Sequence, residues 1–350
     1  MQHNTTHQSN TIRVLASIGV VMLHLQGSKF YIGDYINIHH VQVFLSDFGP
    51  LKTAVELFRG ISAMVGLFFI SSGYGLAKSQ HRTYFVYLKK RFIKVYLYAT
   101  GCAVFCSFIG YSISGNFSLN WIYSILPVFG FYEMPRNANT IQYWFLSCLF
   151  SYYILFPLFN KASSTMLTGL MAACYLLSIL ITTGAVSIPT SIYHSTFFRL
   201  PEFLLGILIA RSPALEQLFF RPSFRGFCAG VCLFIFGYLC AYSPYTYPIS
   251  LLLMSVGSFS TISYVANTLL KQQKTQQVMA VLAAGTLTLY LLHMATARYI
   301  YDYATALLRT VTVNVFVLFS VDLAILLILC LVLLLLGRVV EERYHSFVKV

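Results

Sequence analysis

Asn10 to Leu25 reads NTIRVLASIGVVMLHL, an apolar run interrupted by one cation, Arg13, and one imidazole, His24. The two lie eleven positions apart. At about 100° per residue, eleven steps return to within roughly 20° of the starting direction. Both side chains therefore share one helical face, separated by about 16 Å along the axis. A guanidinium and a titratable ring on an apolar helix are costly in lipid, so this face is expected against protein or a water-filled cavity. The plainer alternative for this segment alone is a snorkelling Arg and a hydrogen-bonded core His.

The rest of the chain has the same character. Hydrophobic residues make up 58% of the 350 positions and charged residues only 9%, too few charges to cover a soluble domain of that size. The 30 Phe and 25 Tyr suit a polytopic helical protein with aromatic belts at both interfaces. The net charge of +13 does not point to nucleic acid, because the Lys and Arg residues stand in short loops between apolar runs. There they set topology and face anionic lipid or a polyanionic ligand. The polar leader before Asn10 carries no Lys or Arg and no cleavable-signal pattern, and the first span is expected to begin after it. The 8 Cys all lie in apolar segments without accompanying His or carboxylates, so they are read as small buried residues and no metal site is expected.

A span needs roughly 20 apolar residues. Segments near 11–31, 55–77, 93–114, 144–160, 165–186, 195–211, 226–242, 247–269, 281–302 and 313–337 qualify, and 121–131 reads as a re-entrant or interfacial piece. Lys78, Arg82, Lys89, Lys90, Arg91 and Lys94 crowd one loop; Arg211, Arg221 and Arg225 mark another, and Lys271 and Lys274 a third. The alternate loops are nearly free of cations. By the positive-inside rule both termini are cytoplasmic. The expected fold is all-α: a polytopic integral membrane protein of about ten transmembrane helices. It is expected to form one domain over residues 1–350, without a soluble appendage, multi-pass in the inner or plasma membrane of the cell.

In order along the chain stand Arg13 and His24 with ten residues between them; Phe68-Phe69-Ile70-Ser71-Ser72-Gly73; Arg91 and Lys94 within KKRFIKVYLY; Trp144-Phe145-Leu146 leading to Pro157; Glu202 followed by Phe203-Leu204-Leu205-Gly206; and Gly285-Thr286-Leu287-Thr288-Leu289-Tyr290-Leu291-Leu292-His293. Together they resemble the membrane-bound acyltransferase family 3, the bacterial sugar O-acyltransferases of the O-antigen and exopolysaccharide O-acetyltransferase type. The chain departs from that pattern at three places. Asn10 replaces the acid common three residues before the Arg, removing a possible partner of Arg13; Lys94 replaces a second Arg; and the Pro usual after that basic pair is missing.

The resemblance implies transfer of an acyl group, most simply acetyl, from cytoplasmic acetyl-CoA as co-substrate to a hydroxyl of a carbohydrate or lipid-linked glycan. No tightly bound cofactor is implied. His24 suits the base or acyl carrier, since an imidazole titrates near neutrality. His293 is a second catalytic candidate, at similar depth, able to pair with His24 or meet the acceptor. Arg13, Ser72, Arg91 and Lys94 suit the donor, because Arg and Lys are the usual phosphate partners. Tyr143, Trp144, Arg199 and Glu202 are candidates for the acceptor. Their plainer roles are interfacial anchoring for the two aromatics and an i,i+3 ion pair for Arg199 and Glu202. Gly66, Gly73 and Gly75 are read as close-packing positions. The alternative function is a polysaccharide or small-solute transporter or flippase that uses intramembrane His, Arg and Glu.

Overall fold

The structure, a computed structural model, describes residues 2–31, 63–79, 83–114, 144–187, 195–241, 243–293, 307 and 315–347. The proposed re-entrant piece at 121–131 and Tyr143 lie outside the described residues. No strand occurs among those described.

Among the described residues, helices occupy part of each expected apolar segment, in the expected order. They are α1 (Gln2–Tyr31), α2 (Met64–Lys78), α3 (Tyr84–Arg91), α4 (Tyr98–Ser114), α5 (Trp144–Lys161), α6 (Ser164–Thr182) and α7 (Thr196–Arg211). Then come α8 (Pro213–Phe220), α9 (Phe224–Cys240), α10 (Tyr247–Leu269), α11 (Gln273–Ala283), α12 (Thr286–Leu292) and α13 (Val315–Phe347). A π-helical stretch, Phe92–Leu97, joins α3 to α4. Among the described residues, α6, α10 and Leu323–Phe347 of α13 are each long and apolar enough to cross a membrane. Two bent pairs, α7 with α8 (113°) and α11 with α12 (46°), bring the number to five if each is one span.

The polar residues before Asn10 belong to the first helix. α1 begins at Gln2, and Gln8 is buried, its side-chain amide donating to the Phe220 carbonyl at the end of α8. That carbonyl has no partner within its own helix, so it recruits donors from elsewhere, including Asn267 Nδ2 at 2.9 Å. The break between α7 and α8 has equally local causes. Ser212 caps α8 by accepting from the Leu215 N–H, and Pro213 stands at the first helical position, where no amide hydrogen is needed. Arg211, the last residue of α7, donates to the carbonyls of Phe159, Asn160 and Ala162 at 3.0, 2.8 and 2.6 Å and so closes the end of α5.

Glycine pairs set the tightest crossings. A Cβ on Gly73 of α2 would lie 2.0 Å from the Phe203 carbonyl oxygen of α7, and one on Gly206 of α7 would lie 2.1 Å from that of Ile70. Gly230 and Gly257 do the same for α9 and α10, and Gly285 and Gly337 for α12 and α13. Backbones this close gain dispersion contacts that do not depend on water being expelled, as association within lipid requires. Around the α2–α7 crossing, Phe69 packs on Phe145 (4.7 Å between ring centres), Tyr152 (5.4 Å) and Trp144 (6.4 Å).

Candidate functional site

A cavity of about 370 Å³ opens where α1, α2, the α3 terminus, α5 and α12 meet. Three segments far apart in sequence supply one aromatic wall. Phe68, Phe145 and Tyr290 stand with ring centres 5.8, 6.1 and 5.1 Å apart, pair by pair. The polar side is built from Arg13, Ser71, Ser72, Arg91 and Tyr153. Arg13, Ser72 and Arg91, three of the four residues expected to hold the donor, thus line one space.

Arg13 is half-buried, and its Nη2 donates to the Asn10 side-chain oxygen. The partner expected to vanish with the missing acid is therefore retained as a neutral one, because the Asn amide oxygen accepts from the same place on the helix. A carboxyl group also lies in Coulombic range of Arg13, that of Glu341 on α13. Arg91 stacks between two tyrosines, its guanidinium 6.0 Å from the Tyr87 ring centre and 5.6 Å from that of Tyr153. Such cation–π contacts hold a guanidinium face while leaving its edge N–H groups for a ligand. The Tyr153 hydroxyl lies near Ser72, and both line the cavity.

Lys94 is exposed and does not line this cavity. The reason is local: it falls within the π-helical stretch that begins at Phe92. A π-helix turns through fewer degrees per residue than an α-helix, so residues three apart no longer share a face.

His24 lies on α1, with its side chain outside the described residues. His293 is buried just after α12. Its Nδ1 faces the carbonyls of Leu289 (3.2 Å) and Tyr290 (2.8 Å), which can only accept, so Nδ1 carries the proton of the neutral ring. Its ring stands 6.0 Å from that of Tyr290, one side chain removed from the cavity.

Arg199 and Glu202 do form the expected ion pair, at 3.1 Å, with both side chains buried. Ser255 of α10 donates to Glu202 Oε1 at 3.2 Å, and the Arg199 guanidinium lies 5.7 Å from the Phe69 ring centre. Gly66 makes room for this junction, since a Cβ there would lie 2.0 Å from Ser255 Oγ. The pair thereby joins α7 to α2 and α10 in the core, away from the cavity lining. Trp144, expected at the outer interface, is only 4% exposed: from the start of α5 it packs on Phe69 of α2, beside Phe145 of its own helix.

Gly75 differs from the glycines around it. Nothing lies within 4 Å of where its Cβ would be, and it lines the cavity. It leaves the space open and serves no helix crossing, contrary to the expectation for all three α2 glycines. Tyr153 was also not legible in advance: its only signal is a phenol midway along an apolar helix, in Tyr152-Tyr153 ahead of Pro157.

A family model described as an acyltransferase domain matches residues 7–336. The chain belongs to acyltransferase family 3. The match contains every side chain named for the cavity, so this acyltransferase places its motif residues from α1, α2, α3, α5 and α12 around one space. Together with the apolar helices it makes the protein a membrane acyltransferase. Comparison with curated proteins gave no match, nor did comparison with solved structures.

Proposed function

We propose that this protein is an O-acetyltransferase of the inner or plasma membrane that carries an acetyl group from cytoplasmic acetyl-CoA to a hydroxyl of a cell-surface or lipid-linked carbohydrate. The observation that supports this best is the convergence of Arg13 and Arg91, from helices far apart in sequence, on one cavity shared with Ser72 and Tyr153. Two guanidinium groups and two hydroxyls at the wall of a half-apolar space suit a phosphate-bearing ligand with an uncharged arm. In the expected topology of ten spans with cytoplasmic termini, this cavity faces the compartment that supplies acetyl-CoA. His24, eleven positions beyond Arg13, then stands further toward the outside, as base or transient acyl carrier. His293, behind Tyr290, supports the same centre.

The test is direct. Purified protein in nanodiscs, given acetyl-CoA labelled in the acetyl group and a glycan extract, should yield labelled glycan and free CoA. Hydrolysis without glycan labelling would refute the carbohydrate acceptor, and absence of any turnover would refute the donor. The topology is checked separately: a cysteine introduced at residue 274 should resist a membrane-impermeant thiol reagent applied from outside, and one at 187 should react.

A further inference from the structure

The last turns of α13 lie beyond the matched residues 7–336 and reach back to the cavity. The Tyr344 hydroxyl donates to the Ile93 carbonyl at 2.9 Å. Ile93 belongs to the π-helical stretch and stands between Arg91 and Val95, both of which line the cavity. The Tyr344 ring also packs 5.1 Å from that of Tyr98. Tyr98 in turn shares a 2.5 Å hydrogen bond with the Thr288 hydroxyl. One turn earlier on α13, Glu341 Oε1 accepts from the Thr288 backbone N–H at 3.2 Å and from its hydroxyl at 2.9 Å. Thr288 directly follows Thr286 and Leu287, which form another part of the cavity lining. The Gly285–Gly337 crossing is what lets α12 and α13 come this close.

One short stretch of α13 is thus bonded to two separate walls of the same cavity. We propose that Glu341 and Tyr344 are positioning residues for donor binding, a clasp that fixes the Arg91 end of the π-helical stretch relative to the Thr286–Leu287 wall. The Ile93 bond matters because a π-helical stretch can relax to α-helical register, which would rotate Arg91 relative to Val95. The Thr288 bonds matter because α12 has only seven residues, too few to hold its first turn without outside acceptors and packing. This assignment rests on the reading of the cavity as an acetyl-CoA site.

The experiment uses the full chain in nanodiscs with Tyr344→Phe, Glu341→Met and both together. Phe lacks the hydroxyl that meets Ile93, and Met lacks the oxygen that accepts from Thr288, while each keeps a similar length and volume. Glu342→Gln is the control, because Glu342 pairs only with exposed Arg338 on the same helix among the contacts described here. Equilibrium binding of acetyl-CoA, KM and kcat, and thermal unfolding are measured for all. Each clasp variant should weaken acetyl-CoA binding roughly fivefold and raise KM in proportion, with kcat at saturation little changed. The double variant should lose less than the product of the single losses, because both cut one network. Glu342→Gln should bind like the parent. Lowered thermal stability with unchanged donor affinity would make these residues a mere brace and overturn the proposal. A parent protein without affinity for acetyl-CoA would instead overturn the donor-site reading, and the clasp with it.

Discussion

The Arg91 guanidinium stands 5.6 Å from the centre of the Tyr153 ring, while the hydroxyl of the same tyrosine lies near Ser72 in the lining of the same cavity. One side chain thus joins the basic end of α3 to the serine pair of α2, and its ring and its hydroxyl can be tested apart. Tyr153→Phe keeps the cation–π face and removes the hydroxyl; donor affinity should fall about fivefold, the worth of one net hydrogen bond. Tyr153→Leu also removes the face for Arg91 and should cost a further 0.5–2 kcal/mol, roughly two- to thirtyfold. Titration with acetyl-CoA checks both. Equal losses for Phe and Leu would assign the whole effect to the hydroxyl.

Gly73 and Gly75 are two residues apart and should respond in opposite ways. A methyl on Gly73 would meet the Phe203 carbonyl oxygen at 2.0 Å, and backbone cannot move aside cheaply, so Gly73→Ala should reduce the folded yield sharply. A side chain on Gly75 meets nothing within 4 Å and enters the cavity. Gly75→Leu should therefore fold at parental yield and lose donor binding. Size-exclusion profiles in detergent report the first effect and acetyl-CoA binding the second. Full donor affinity in a folded Gly75→Leu protein would locate the donor elsewhere.

Much of this could be read from the residues alone, and the exceptions share a cause. Helix positions followed from apolar runs, and the Arg199–Glu202 pair from i,i+3 spacing, because both are properties of one helix. Arg13, Ser72 and Arg91 were grouped through motif resemblance, and they line one cavity. Lys94 belongs to the same motif as Arg91, yet the π-helical stretch turns it away from the cavity. Gly75 was grouped with Gly66 and Gly73 by type, yet what a glycine does depends on the surface facing it. Tyr153, Glu341 and Tyr344 depend on contacts across 53 to 251 positions, such as Thr288 with Glu341 and Ile93 with Tyr344, and no local periodicity carries that. Nothing local marks residues 2–9 as part of the first helix, because Gln8 is satisfied by Phe220, a partner on another helix.

The buried Arg199–Glu202 pair should behave as a structural tie. Arg199→Met leaves Glu202 as a lone carboxylate in the core and should cost about 3–5 kcal/mol, seen as a large drop in unfolding temperature. Pairing Arg199→Met with Glu202→Leu removes both charges and should recover most of that loss. The recovered double variant then decides the acceptor question. If the pair only ties α7 to α2 and α10, KM for the glycan stays at the parental value. If it meets the acceptor, KM for the glycan rises while KM for acetyl-CoA does not.

The final prediction concerns His24. Arg13, Ser17 and Val20 follow one stripe of α1; Ser17 and Val20 are buried against neighbouring helices, and Arg13 reaches the cavity. Position 24 continues that stripe by helical period, four residues beyond Val20. A base or acyl carrier there would stand about 16 Å along the helix axis from Arg13, a distance the flexible arm of coenzyme A can bridge while its phosphates stay near the guanidinium groups. His24→Ala should lower kcat by about 10²–10⁴ for a lost general base, and by more for a lost nucleophile, with acetyl-CoA affinity and folded yield near parental. His24→Gln keeps volume and hydrogen-bonding capacity but accepts no proton at neutral pH, and it should be as inactive as Ala. A packing histidine predicts the reverse ordering: Gln close to the parent, Ala impaired only in proportion to lost folded protein. Turnover by His24→Gln at near the parental rate would therefore remove His24 from the chemistry and turn the search to His293, whose Nδ1 is committed to backbone carbonyls and whose Nε2 would then be the nitrogen to test.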